Sequence, residues 1–420
     1  MLAPRVRGGT AVRQGDPGAV LMRGLCWMLI AAGCGASNAE PTDAGSGGEG
    51  SVVGDSARGG TVDASPDQGA EAAIQDAQEA ASDAEIEAGT AAAPHTLANV
   101  GWGMFNDHGE GSWASDLSQV EGVTGRHMDI VMDYQDWSSG TSAWPTMSSQ
   151  VIGGIGGRPM MWTVQPSGVN WPSLIAGDYD SEIIAFADWV NTTLHSTIYV
   201  RFAHEQNGTG WYNWQVGGTC GVTSAADYVQ GFNHVASVLK SHSTYILMVW
   251  AANNGPTDNI ASFYPSGCDI MGFDSYNFGP NTSSSGMSAG GAATTWAEAS
   301  ALNAAAYSAV ASCDPNKPIW ICETSSEEPS APWNPTTYDP SGYPNNIVIA
   351  AQPGFDKGEW VTKFLSETDM PRISMVVWFD IQKERNWLFD SSTSAKNAFY
   401  SAFSQSRSGG VYWNPVTGGQ

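Results

Sequence analysis

The sequence predicts an α/β fold, a single (β/α)8 barrel, and three observations carry that expectation. From Leu97 onward the 420-residue chain repeats a short apolar run rich in β-branched and aromatic residues, then a loop, then a stretch of helical length. Eight such runs occur, the number that closes a parallel barrel whose strands are covered on both faces. No Gly-x-Gly-x-x-Gly turn follows the first run, which weakens the competing open, doubly wound sheet.

The N-terminus stands apart from this repeat. Arg23 precedes the apolar stretch Leu25 to Ala32, and Gly33-Cys34 follows, giving the charge, length and small-residue ending of a secretory signal. The stretch is too short to span a bilayer as a stable helix. A Cys directly after Ala-Ala-Gly resembles a bacterial lipoprotein cleavage box, with Cys34 the lipidated residue and Met22 a better start than Met1. Residues 35–95 hold 12 acids, one base (Arg58) and no aromatic residue, so they cannot bury enough apolar surface to offset their ordering entropy. The expected organisation is therefore an export segment (1–34), a disordered acidic tether (35–95) and a barrel domain (96–420). Such a chain is secreted, or held at the bacterial surface as a lipoprotein.

The eight runs are Val100–Phe105, His127–Asp133, Pro159–Val164, Thr197–His204, Tyr245–Trp250, Asp269–Ser275, Pro318–Glu323 and Ile373–Phe379. Between them, Asp180–Leu194 and Ala225–Lys240 have the 3.6-residue periodicity of amphipathic helices, with Ser224 or Asp227 as cap for the second.

Charge narrows the partners. The formal net charge is −25, and Lys and Arg total only 17, so the clustered cations that neutralise phosphate are missing and nucleic acid is disfavoured. Membrane contact is expected only through the lipid on Cys34. With charged residues at 14% and 18 Trp, the surface suits neutral, hydroxyl-rich polymers such as polysaccharides. Cys220, Cys268, Cys313 and Cys322 show no Cys-x-x-Cys spacing, and no metal or cofactor is expected. Cys268 and Cys313 each just precede a strand at the same end of the barrel, which predicts a disulfide between them. Cys322 should alternate away from Glu323 into the helix layer as a free thiol. A monomer is expected.

In a barrel of this kind the chemistry sits where strands end. The fourth run ends in His204-Glu205-Gln206-Asn207 and the seventh in Glu323. Two carboxylates facing one another across the mouth are what a retaining glycosidase needs, one to protonate the leaving oxygen and one to attack the anomeric carbon. A lone Glu at a strand end is usually a solvated acid, but both of these lie in apolar, aromatic sequence with few other charges. His204-Glu205 does not open a zinc motif, because His-Glu-x-x-His would need a histidine at Gly208.

The run Arg201-Phe-Ala-His-Glu-Gln-Asn-Gly208, with Trp211-Tyr-Asn-Trp214 after it, resembles the acid/base segment of glycoside hydrolase family 26, a family of many β-mannanases. Weaker matches follow in order, among them Asp274-Ser-Tyr276, Lys317-Pro-Ile-Trp-Ile-Cys-Glu323 and Val377-Trp-Phe379, so the resemblance extends over 97–405. Gln206, where the family commonly has Met, and the additional Gly210 depart from the pattern.

The resemblance implies that Glu205 is the general acid/base and Glu323 the nucleophile of an endo-acting β-glycanase cleaving β-mannan, β-1,3/1,4-glucan or β-1,3-xylan. It implies that His204 contacts the sugar, Tyr276 donates its hydroxyl to Glu323, and Trp378 forms the apolar floor under the sugar. Asn207 and Asp274 join them as candidate substrate-binding residues, and Arg201 is expected as a core cation paired with an acid such as Asp274. Aromatic rings stack on sugar faces, which adds Trp137, Trp211, Tyr212, Trp214 and Trp387 as subsite candidates. The alternative, from another class, is an inactive barrel serving as a carbohydrate-binding surface lipoprotein. Two intact strand-end glutamates favour the enzyme.

Overall fold

The computed structural model describes residues 95–106, 113–138, 144, 146–255, 257–279, 296–334 and 350–404. The export segment, Cys34 and the tether up to residue 94 lie outside the described residues.

Eight parallel strands close into a barrel in sequence order. They are β1 (Gly101–Phe105), β2 (Ile130–Asp136), β3 (Met160–Gln165), β4 (Ile198–Phe202), β5 (Ile246–Asn253), β6 (Ile270–Asn277), β7 (Ile319–Ser326) and β8 (Ile373–Phe379). Every one falls on an expected apolar run. The helices are α1 (Trp113–Thr124), α2 (Ser149–Gly154), α3 (Trp171–Ala176), α4 (Asp180–Trp189), α5 (Ala225–His242), α6 (Ala299–Ala311), α7 (Lys357–Leu365) and α8 (Thr393–Ser404). The Asp180–Leu194 periodicity resolves into α4 followed by a π turn over Val190–Leu194, closed by His195 in the left-handed region. Ser224 caps α5, its hydroxyl accepting from the Asp227 N–H at 3.2 Å.

Alternation along the strands sorts side chains into two cores. Outward residues such as Trp102, Trp162, Val200, Trp250 and Ile321 pack under the helices. Inward residues, among them Met132, Tyr199, Val249, Trp320 and Val377, fill the barrel. In β8 the inward set is Met375, Val377 and Phe379, so Trp378 faces the helix layer. There its ring meets Phe399 edge-on at 5.0 Å, with the Lys357 ammonium 5.7 Å from its centroid. The expectation that Trp378 floors the sugar site is thereby corrected: the inward aromatic at this strand end is its neighbour Phe379.

A register shift in β7 corrects a second expectation. Asp274 pairs with Glu323 while Phe273 pairs with Ile321, so Cys322 is the additional residue of a β-bulge. The bulge turns both Cys322 and Glu323 inward, and a Cβ on Gly272 would lie 2.5 Å from the Cys322 sulfur. Cys322 is buried in the barrel rather than under the helices.

The expected Cys268–Cys313 disulfide is absent, and both are free thiols. Cys313 lies beyond the end of α6, and its thiol turns back to the carbonyl of Ala309 at 3.4 Å. Cys268 is buried, with the Lys317 ammonium 3.9 Å from its sulfur. The Cys313 sulfur is thus engaged by its own helix and the Cys268 sulfur by Lys317, just before β7.

Candidate active site

The β4 strand ends in a kink that aims Glu205. Ala203 and Glu205 both adopt positive φ, 49° and 52°, a region costly for residues with a Cβ. The surrounding bonds hold them there: Ala203 N–H donates to Val164 at 3.1 Å, Glu205 N–H donates to Ala251 at 2.8 Å, and the Tyr228 hydroxyl donates to the Ala203 carbonyl at 3.1 Å. Gln215 pins the loop that follows. Its amide donates to the Glu205 carbonyl at 2.7 Å, and its oxygen accepts from the N–H groups of Gly210, Trp211 and Tyr212 at 2.8, 2.9 and 3.2 Å.

The Glu205 carboxyl is 7% exposed and accepts one neutral donor on each oxygen. Asn253, at the end of β5, donates Nδ2 to Oε1 at 2.7 Å, and Trp211 donates Nε1 to Oε2 at 3.0 Å. Burial, reinforced by the negative charge of Glu323, pushes Glu205 up to about 7, against the pull of these two donors and Arg201. Such a carboxyl can both give and take a proton near neutrality.

Glu323 has a different environment. Its Oε1 accepts from the Tyr134 hydroxyl and from Arg201 Nη1, the latter at 2.5 Å, and its Oε2 accepts from the Tyr276 hydroxyl. The Arg201 guanidinium also pairs with Asp274, both fully buried, so one cation sits beneath two carboxylates. Burial, and then the charge of Glu323, holds the hydroxyls of Tyr134 and Tyr276 well above the usual phenol range, so both remain donors. Three donors thus fix the Glu323 carboxylate beside Glu205.

The other expected site residues divide by position. Trp211 is half-buried on Glu205, and Tyr276 reaches Glu323. His204 is buried with ring contacts to Tyr134, Tyr212 and Trp214 at 5.9, 5.0 and 5.7 Å. Burial, then Arg201 and Lys383, pulls its imidazole well below the usual histidine range, so the ring is neutral. Trp214 lies beneath the surface, stacked on Tyr212 at 4.4 Å with its N–H on the His204 carbonyl. Asn207 is buried and bonded to the backbone of Asn253 in both directions. Asp274 is enclosed on Arg201, and Trp137 packs tilted against Trp144, ring centroids 4.7 Å apart, in the outer core. Trp387 is buried in the inner core, 5.2 Å from Tyr276. Trp137, Asn207, Trp214, Asp274 and Trp387 are all buried.

Sequence reasoning missed Tyr134, Asn253 and Gln215. Tyr134 was legible, because continuing the alternation of β2 from Met132 places it inward. The two amides carry no signal of their own.

No family model matches the chain. Its sequence is similar to Endoglucanase H of Acetivibrio thermocellus, at 26% identity over 296 residues, which covers 69% of this chain and only 29% of that protein's length. Among solved structures it is similar to the family 26 glycoside hydrolase domain of an endo-β-mannanase/endo-β-glucanase from Prevotella bryantii, at 13% identity and a TM-score of 0.41, covering 73% of this chain and 89% of that one. A family 39 glycoside hydrolase from Bacteroides cellulosilyticus is matched at 10% identity and a TM-score of 0.47, over 74% of this chain and 65% of that one.

Proposed function

We propose that the chain, as a family 26 glycoside hydrolase, cleaves a β-linked polysaccharide within the polymer and retains anomeric configuration. The observation that carries this reading is the contrast between two adjacent carboxyls: Glu205, buried on neutral donors and pushed up to about 7, and Glu323, held by Arg201 and two tyrosine hydroxyls. In the first step Glu205 gives its proton to the leaving glycosidic oxygen as Glu323 attacks the anomeric carbon, forming a covalent glycosyl ester. In the second step Glu205, now ionised, takes a proton from water, which displaces Glu323 from the sugar. Arg201 and the two phenols fix the line of attack, and Trp211 keeps the acid's second oxygen in place.

The candidate polymers are β-mannan, β-1,3/1,4-glucan and β-1,3-xylan, and the name of the Acetivibrio relative puts glucans on the panel with the others. Release of reducing ends from purified mannan, mixed-linkage glucan, carboxymethylcellulose and xylan, with Glu205→Ala and Glu323→Ala as controls, tests the reading. One polymer should be cleaved by the wild type and by neither variant. Retention of a polymer in affinity gels without cleavage of any would favour the binding lipoprotein instead.

We also propose residues 1–34 as an export and lipidation segment, 35–95 as a tether and 96–420 as a monomeric catalytic unit. A chain starting near His95 should keep the melting temperature and specific activity of the longer one. The Cys34 peptide of membrane-bound material should carry the mass of a diacylglyceryl group.

A further inference from the structure

We propose that Asn253 is a positioning residue for the acid/base, fixing both the orientation of the Glu205 carboxyl and the pH at which it gives up its proton. The inference rests on the role of Glu205 given above and adds the element that sets it.

The orientation of the Asn253 amide is determined by its surroundings. Its Oδ1 accepts from the Gly255 N–H at 2.7 Å, so Nδ2 must point the other way, toward Glu205 Oε1 at 2.7 Å. Turning the amide over would set an oxygen against a carboxylate and an NH2 against an N–H, losing both bonds. The backbone of Asn253 is fixed as well. Its N–H donates to Asn207 Oδ1 at 2.8 Å, and its carbonyl accepts from Asn207 Nδ2 at 2.8 Å. Asn207 follows Glu205 by two residues, so this reciprocal pair ties the end of β5 to the segment that carries the acid. Asn253 is therefore held at three points and presents one donor to the carboxyl.

The charged and titratable groups around Glu205 come from several elements. Glu323 on β7 opposes its ionisation and Arg201 on β4 favours it, while its own negative charge helps hold Asp274 on β6 and the Tyr212 phenol protonated. Among the described residues, Asn253 and Trp211 touch the carboxyl with neutral donors, and Asn253 makes the shorter bond. A donor to the charged form favours that form, so Asn253 moderates the rise caused by burial and Glu323. Without it, Glu205 would keep its proton further into the alkaline range and would lose its fixed direction.

The test is a pH titration of ¹³C-carboxyl-labelled glutamate, with the Glu205 signal assigned by its loss in Glu205→Gln, in wild type, Asn253→Ala and the isosteric Asn253→Asp. It needs no substrate, and either variant carries it if the other fails to fold. Removing the donor should raise the Glu205 midpoint by about half a pH unit or more, and Asn253→Asp, which places a second acid beside it, should raise it further. On the polymer that wild type cleaves fastest, the alkaline limb of kcat/KM should move up by the same amount. Without the fixed direction kcat should fall roughly ten- to a hundredfold, with KM within a few fold. An unmoved midpoint in the folded variants would overturn the proposal and leave Asn253 a structural residue of the β5 end. An alkaline limb that persists in Glu205→Gln would instead overturn the assignment of Glu205 as the acid, whatever Asn253 does.

Discussion

Replacing Glu205 with Gln should make the barrel less sensitive to alkaline pH while destroying its chemistry. A carboxyl held at about 7 instead of its ordinary 4.5 binds its proton more tightly in the folded chain than in the unfolded one. The sign follows: this contribution is fully present below the unfolded value and is lost as pH rises through the folded value. Each tenfold change in proton affinity is worth about 1.4 kcal/mol, so ionising Glu205 in place costs the fold about 3 kcal/mol above neutrality. Gln carries no charge at any pH, but it offers one acceptor oxygen where Asn253 and Trp211 each present a donor. One donor then faces the new NH2, a pH-independent cost of about 1–3 kcal/mol. The difference in unfolding free energy between Glu205→Gln and wild type should therefore move in the variant's favour by about 2.5 kcal/mol between about pH 5 and about pH 8.5, or roughly 5 °C in Tm for a barrel of this size. Glu327 and Lys357, which also titrate at about 7, are common to both proteins and cancel in the difference. Urea unfolding at the two pH values measures it. A difference that does not change with pH would refute the claim that burial and Glu323 hold this carboxyl protonated.

Tyr134→Phe and Tyr276→Phe each remove one donor from the Glu323 carboxylate and should lower kcat about 10- to 100-fold with little change in KM, read from steady-state kinetics. Arg201→Ala leaves Asp274 and Glu323 buried without their cation and should cost about 3–5 kcal/mol in urea unfolding, whereas a loss below about 1 kcal/mol would show that the pair is not held by charge. Trp378→Ala should cost about 3–5 kcal/mol of stability through its cavity under the helices and leave KM unchanged, while Phe379→Ala should change KM, which distinguishes the two faces of β8.

The barrel was legible because short, near-continuous apolar runs such as Ile246–Val249 and Ile373–Val377, recurring eight times between stretches of helical length, read as strands covered on both faces. Strand ends were less legible, because they turn polar where the site begins. The run at β2 reads as ending at Asp133, yet the strand continues through Asp136 and brings Tyr134 onto Glu323. Trp378 and Phe379 are adjacent and aromatic, so a one-residue difference in register decides which faces inward. The bulge at Cys322 breaks alternation at the one position where it mattered for Glu323, and a bulge leaves no mark in composition. The two glutamates stood out as charges in apolar sequence. Asn253 and Gln215 did not, since an amide gains its role only from the geometry around it. The Cys268–Cys313 pairing rests on both residues being strand-proximal, whereas Cys313 follows directly on the end of α6 and its thiol turns back to that helix.

Labelling of Glu323 by a 2-fluoro glycoside tests the central claim most directly, because the slow-turnover ester should survive long enough for peptide mass spectrometry. The sugar is chosen to match the polymer that wild type cleaves. We expect one modified peptide containing Glu323, its absence in Glu323→Ala, and an early product of retained anomeric configuration by NMR. An unlabelled Glu323 together with a product of inverted configuration would contradict it, and would leave the contrast between the two carboxyls without its assigned chemistry.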